Sequence, residues 1–302
     1  MARAYVGTSG WVYKGWREHL YAETPVKQWL RVASRAFDAL EINGSFYTQI
    51  KPETYARWHA ETPDEFRFAL KGHRFVTHYK RLRDCQSSIV LLRDQAKPLR
   101  DKLAAVVWQL PSNFEYNLQR LADFASALEI WPGTRHAIEL RHRSWFVPEV
   151  AALLAEANIA VCMGDAPDFP MWRAVTSDIV YARLHGHTRK YASSYSEASL
   201  RAWAKDAAGW LAEGRDVHVY FDNDAEGHAV RNALRFQQLI DELTGRSDRR
   251  ARPVPAHSTP GACESELASP WRRPSARPRS RGPSARRSTA RTGSRERTRG
   301  AH

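Results

Sequence analysis

Three pairs of polar residues stand two positions apart in this 302-residue chain: Glu41 and Asn43, Glu139 and Arg141, Arg183 and His185. In extended backbone, residues i and i+2 point to one side, so each pair shares a face and the apolar residue between them (Ile42, Leu140, Leu184) turns away. Lys71 ends Phe68-Ala-Leu-Lys71, Gln109 follows Val107-Trp108, and Asp165 and Asn223 close two further apolar runs in the same manner. Glu41 and Glu139 suit general acid and base work, because environment can separate two carboxylate pKa values. His185 suits a proton shuttle or a metal ligand. Lys71 suits an anion, or a Schiff base where desolvated. Arg141 and Arg183 present forked donors for anionic oxygens. Asn43, Gln109 and Asn223 would orient a substrate. The competing reading is a salt-bridge plug, with Glu139 held by Arg141 or Arg183.

These residues need a scaffold that brings strand ends together. Apolar, β-rich runs cover 4–10, 39–47, 66–72, 104–111, 136–141, 158–164, 179–186 and 216–223. Several are continuously apolar, as parallel strands covered on both faces require. Helical periodicity covers 25–37, 52–61, 88–103, 117–130, 148–157, 196–213 and 227–243, with Ser196 as an N-cap and Gly214 as a C-terminal stop. About eight strand–helix units in residues 1–245 predict a TIM-barrel-like (β/α)8 fold, with the polar pairs inward at its C-terminal rim. A doubly wound open sheet is the alternative, weakened because no Gly-x-Gly-x-x-Gly or P-loop follows the first strand. Aromatic residues crowd the same turns: Trp11, Tyr13, Trp16, Phe46, Tyr47, Trp145 and Phe146. They would wall a pocket and stack on a ring, or close the barrel top as a hydrophobic cluster.

Charge divides the chain. Residues 246–302 carry 15 arginines, no lysine and four acids, a net +11 of the total +13, and residues 1–245 are nearly neutral. That Arg/Ser/Pro-rich tail has one aromatic residue, Trp271, and its composition predicts disorder. It reads as a nucleic-acid-binding extension through phosphate contacts, or as a solvated extension without a role. Cys85, Cys162 and Cys263 form no C-x-x-C pair, which fits a reducing cytoplasm. No apolar run reaches the roughly 20 residues a membrane span needs, so no membrane association is expected. No His-Glu-x-x-His motif is present, so a divalent metal would rest on Glu41, Glu139 and His185 themselves.

Seven motifs occur in order: Gly7-Thr-Ser-Gly-Trp-Val-Tyr13, Glu41-Ile-Asn-Gly-Ser-Phe-Tyr47, Phe68-Ala-Leu-Lys71 with Thr77-His78, Gln109-Leu-Pro111, Glu139-Leu-Arg-His-Arg-Ser-Trp145, Arg183-Leu-His-Gly186 and Tyr220-Phe-Asp-Asn223. Together they resemble the YecE-like family, domain of unknown function 72, over nearly all of residues 1–245. The resemblance implies a TIM-barrel-like fold and no established activity. Asp222 stands where that family often has Asn. The barrel it implies is similar to those of metal-dependent endonucleases and sugar isomerases, which is a likeness of fold.

The leading expectation is a hydrolase-type enzyme on a phosphorylated or nucleic-acid-like anionic substrate. Glu41, Glu139, His185 and Lys71 would be its catalytic groups, with a divalent metal as an option. Asn43, Tyr47, Gln109, Arg141, Trp145, Arg183, Asn223 and Trp11 would bind substrate. Metal-free acid/base chemistry on a sugar-like compound is the second reading, and nucleic-acid binding through the tail the third.

Overall fold

The structure, a computed structural model, describes residues 1–245. The expectations for the tail fall outside those residues. Eight parallel strands close into a barrel in sequence order: β1 (Ala4–Ser9), β2 (Ala39–Ile42), β3 (Arg67–Lys71), β4 (Leu103–Gln109), β5 (Arg135–Glu139), β6 (Ile159–Asp165), β7 (Ile179–Leu184) and β8 (Asp216–Phe221). Closure is direct, since β1 pairs with β8 through Val6 and Val219 as well as with β2 through Ser9 and Glu41. The open-sheet alternative is thereby excluded.

Strand parity sorts the side chains into two cores. Outward residues such as Val6, Leu40, Phe68, Leu70, Val106, Trp108 and Ile138 join the large cluster shared with the helices. Inward, Ala39, Ala69, Ala105, Val107, Ala137, Ala160, Cys162, Ile179, Tyr181 and Tyr220 form a second cluster. Its alanines leave the volume that Tyr181, Tyr220 and the fully buried Arg183 occupy. Burial of each large apolar side chain is worth about 1.5–3 kcal/mol, so both layers hold the rim in place.

The helices are α1 (Trp29–Ala36), α2 (Gly44–Tyr47), α3 (Pro52–Glu61), α4 (Gln86–Ala96), α5 (Leu118–Leu128), α6 (Pro148–Glu156), α7 (Glu197–Ala212) and α8 (His228–Thr244). Ser196 caps α7, its Oγ accepting from Ser199 N at 3.1 Å, and Gly214 follows with φ +86°. Two differences from the sequence reading have local causes. Strand β2 stops at Ile42, because the Ser45 hydroxyl lies against the carbonyls of Ile42 and Lys71 (2.9 and 2.7 Å) and Gly44–Tyr47 coils as α2. Helix α4 ends at Ala96, ahead of Pro98, whose missing N–H disfavours continuation. No α-helix joins β6 to β7; Thr176 Oγ1 anchors that loop by donating to Ile159 O and accepting from Val161 N. Among the described residues no helix is long and apolar enough to cross a membrane.

Candidate active site

The inward residues at the C-terminal strand ends meet around one guanidinium. Arg183, on β7, has no solvent exposure. Its Nε donates to both Glu41 oxygens (3.1 and 3.0 Å). Its Nη1 donates to Glu139 Oε2 at 2.9 Å and lies 3.3 Å from His185 Nε2. Its Nη2 reaches Glu41 Oε1, Ser9 Oγ and Asp222 Oδ2 at 2.8, 3.1 and 3.2 Å. Such desolvated ions persist only where the geometry is good and the remaining donors are filled, which holds here. The three carboxylates hold Arg183 well above the usual arginine range, against the opposing effect of its burial.

Around this centre the network closes on itself. Glu41 Oε2 accepts from Tyr181 OH at 2.7 Å, and Glu41 Oε1 accepts from the Ser9 hydroxyl. Asn43 Nδ2 donates to Ser9 Oγ at 2.7 Å. Glu139 Oε1 accepts from Arg141 Nε at 2.7 Å. Burial pushes the Glu139 pKa up, but Arg141 and Arg183 outweigh it and leave the carboxyl well below its usual range. His185 lies 2.9 Å from Asp222 and 3.5 Å from Glu139. Asp222 thus sits at the position singled out in the sequence, holding both Arg183 and His185. Both of the Glu139–arginine pairings weighed there are present.

Lys71, at the end of β3, is treated differently. The residue is 6% exposed, yet among the described residues its ammonium makes no hydrogen bond or ion pair. Its Nζ lies 4.3 Å from the Phe46 ring centre. Burial lowers its pKa most, Arg183 and Arg141 lower it further, and Glu41 and Glu139 only partly compensate. The result is about 7, against an ordinary 10.5. His78, edge-on to the same Phe46 ring at 5.1 Å, is lowered to about 4 by burial and by Lys71, and so is neutral above that pH. Gln109 also reaches the inward rim, 7% exposed.

A loop roofs the other side. Phe169, between β6 and β7, lies 4.3 Å from the Arg141 guanidinium carbon and 5.5 Å from the His185 ring. Lys190 Nζ is 5.0 Å from the centre of the Phe169 ring and ion-paired to Asp168 at 2.6 Å. Glycine at 164 makes this possible: a Cβ there would stand 2.9 Å from Phe169 and 3.3 Å from Glu139 Oε1.

Other expected residues lie elsewhere. Asn223 is one position beyond the inward Asp222; its Nδ2 donates to Ser193 O and Asn232 Oδ1, both at 2.9 Å. Asp165 has outward parity, with Trp203 Nε1 3.4 Å from its carboxylate. Trp11 packs against Trp58 and Phe68 between barrel and α3. Buried Trp145 donates from Nε1 to Phe114 O at 2.6 Å, tying two loops together. Tyr47 stays at the surface, 39% exposed. Ser9 and Tyr181 were not singled out, although the period-two rule leads back from Arg183 to Tyr181. Phe169 and Lys190 sit on loops with no periodic signal. Among the described residues no group of three His, Cys, Asp or Glu side chains is arranged as a metal set. Glu139 and Asp222 flank His185, but both already hold Arg183.

Comparison with known proteins agrees with this fold. "UPF0759 protein YunF" of Bacillus subtilis is 25% identical over 279 residues, covering 82% of this chain and 98% of that protein. "UPF0759 protein YecE" of Escherichia coli is 28% identical over 144 residues, 47% of this chain and 50% of that one. The crystal structure of a DUF72 family protein from Thermotoga maritima superposes with a TM-score of 0.70 at 26% identity, covering 79% of this chain and 99% of that chain. One from Enterococcus faecalis gives 0.68 at 20%, covering 80% and 96%. Residues 5–258 match the family described as "Protein of unknown function DUF72", and the chain belongs to that family.

Proposed function

We propose that this protein is an enzyme acting on a small anionic carbonyl compound, with the Lys71 amine as its nucleophile. The observation that carries this reading is Lys71 itself: buried at the C-terminal end of a barrel strand, unpaired among the described residues, and with a pKa near 7. A neutral amine in a desolvated site is the activated form that imine chemistry needs. Nζ adds to the carbonyl carbon, the carbonyl oxygen leaves as water carrying both amine protons, and a carbon–nitrogen double bond forms. Arg141 and Lys190, paired with Glu139 and Asp168 in this structure, are the cations that an anionic substrate would engage in exchange for those carboxylates. Glu41, Glu139, Asp222 and His185 surround Arg183 and keep the floor rigid, and Glu139 also positions Arg141.

This reading shares the anionic substrate with the phosphate-ester expectation but moves the chemistry from the carboxylates to the lysine. A metal-assisted hydrolysis through Glu139, Asp222 and His185 would require the two carboxylates to release Arg183. The cytoplasm is the compartment that suits the buried free thiols Cys85 and Cys162. The test is trapping with pyridoxal 5′-phosphate, an anionic aldehyde, followed by borohydride and peptide mass spectrometry at pH 7.5. Lys71 should be reduced onto the probe first among the nine lysines, and Lys71→Met should abolish that adduct. Adducts confined to the other lysines would rule the assignment out.

A further inference from the structure

Of the aromatic residues expected to wall a pocket, Trp11, Trp16 and Trp145 are buried, whereas Tyr47 is exposed beside two rings not singled out in the sequence, Phe75 and Tyr79. Tyr47, Phe75 and Tyr79 are 39%, 45% and 61% exposed. Tyr47 ends α2; Phe75 and Tyr79 begin and end a wide helical turn after β3. Val76 and Thr77 are buried within that turn, which directs its two end rings outward. Scattered exposed apolar residues are ordinary, but these are linked. The Arg74 guanidinium carbon lies 6.0 Å from the Tyr47 ring and 5.2 Å from the Tyr79 ring, and Phe75 stands 6.3 Å from Tyr79. Lys80 Nζ lies 5.5 Å from Phe75. Inward the strip is continuous, because Tyr47 meets Phe46 edge-on at 4.9 Å and Phe46 carries Lys71.

We infer that the Lys71 site extends outward into a subsite for a flat ring, so that its substrate is an anion bearing an aromatic or heteroaromatic group. This deepens the reading of Lys71 given above and rests on it. Two phenol rings with the Arg74 guanidinium over them, its Nη2 donating to Tyr79 OH at 2.5 Å, present π-surface and positive charge together, the combination that a planar, electron-rich, anionic ligand complements. Arg74 and Lys80 add charge at the outer end, and Phe46 continues the surface to the amine.

The test compares phenyl phosphate with ethyl phosphate by isothermal titration of the full chain. At pH 8 both are dianions that differ in phenyl against ethyl, so phosphate contacts anywhere on the protein cancel. Phenyl phosphate should bind about tenfold more tightly. A Tyr47→Ala/Tyr79→Ala double variant should lose that preference while its affinity for ethyl phosphate holds, with circular dichroism and the melting transition checking its fold. Equal affinities, no binding of either probe, or a preference that survives the double variant would overturn the subsite. So would a homodimer, seen by sedimentation, that the double variant dissociates, since a second copy would then cover the rings. A ring preference without a pyridoxal phosphate adduct on Lys71 would defeat the chemistry and keep the subsite; the reverse would defeat the subsite alone.

Discussion

Two lysines are buried at opposite ends of this barrel, and they differ in what surrounds the ammonium. Lys102, just before β4 at the end where the strands begin, is 2% exposed. Its Nζ donates to His59 O at 2.7 Å and to Thr62 O at 2.8 Å, with Thr62 Oγ1 at 3.4 Å and Asp64 at 3.9 Å. It pins the end of α3 to the barrel. Lys71, 6% exposed where the strands end, has an aromatic face and nearby arginines instead. Similar burial therefore has opposite consequences: Lys102 has its donors filled and acts as a brace, whereas among the described residues the Lys71 ammonium has no acceptor and its pKa falls to about 7. Arg183 belongs with Lys102, since oxygen acceptors fill its fork.

The comparison can be broken by substitution. Arg183→Met should have the largest effect, about 3–5 kcal/mol of lost stability in urea unfolding, because three buried carboxylates lose their common partner. Lys102→Met should cost about 1.5–3 kcal/mol by the same measurement, as charged hydrogen bonds to buried carbonyls disappear. Lys71→Met should stabilise the fold at pH 7, because it removes the cost of burying an amine whose pKa is driven down to about 7; a loss as large as that of Lys102→Met would erase the distinction.

A pH series sharpens the contrast. The Lys71 pKa is about 7 in the folded chain and close to 10.5 when unfolded. Between those values the unfolded state binds the extra proton, so stability rises with pH, whereas below about 7 both states are protonated and the cost of burying the charge is constant. From pH 7 to 9 wild type should gain about 2 kcal/mol relative to Lys71→Met. Parallel profiles for the two proteins would contradict the lowered pKa. The smallest effect belongs to Tyr181→Phe, which removes one hydrogen bond to Glu41 and should cost about 1 kcal/mol in the same assay.

The sequence reached the barrel because its signals are local: β-rich runs with period two, helical segments between them, and caps such as Ser196. It also reached most of the network, because Glu41, Lys71, Gln109, Glu139, Arg183 and His185 follow strand parity. Parity says which way a side chain points and nothing about what meets it. Whether Arg183 would hold substrate or carboxylates depended on pairings up to 142 residues apart. The empty surroundings of Lys71 are likewise a property of the assembled rim. Asn223 and Asp165 follow the inward pattern by one residue, and a one-residue step reverses the face. The aromatic residues were legible as clustered but not as exposed or buried, since Trp145 and Tyr79 differ in packing and not in local pattern.

The central claim is that the Lys71 amine is neutral near physiological pH. Competitive acetylation with trace isotopic acetic anhydride, resolved by peptide from pH 5 to 11, measures that for each lysine in one experiment. A half-maximal rate at Lys71 near pH 7, well below the ordinary lysine value of 10.5, is the expected result. A Lys71 profile that rises only with the exposed lysines would contradict it.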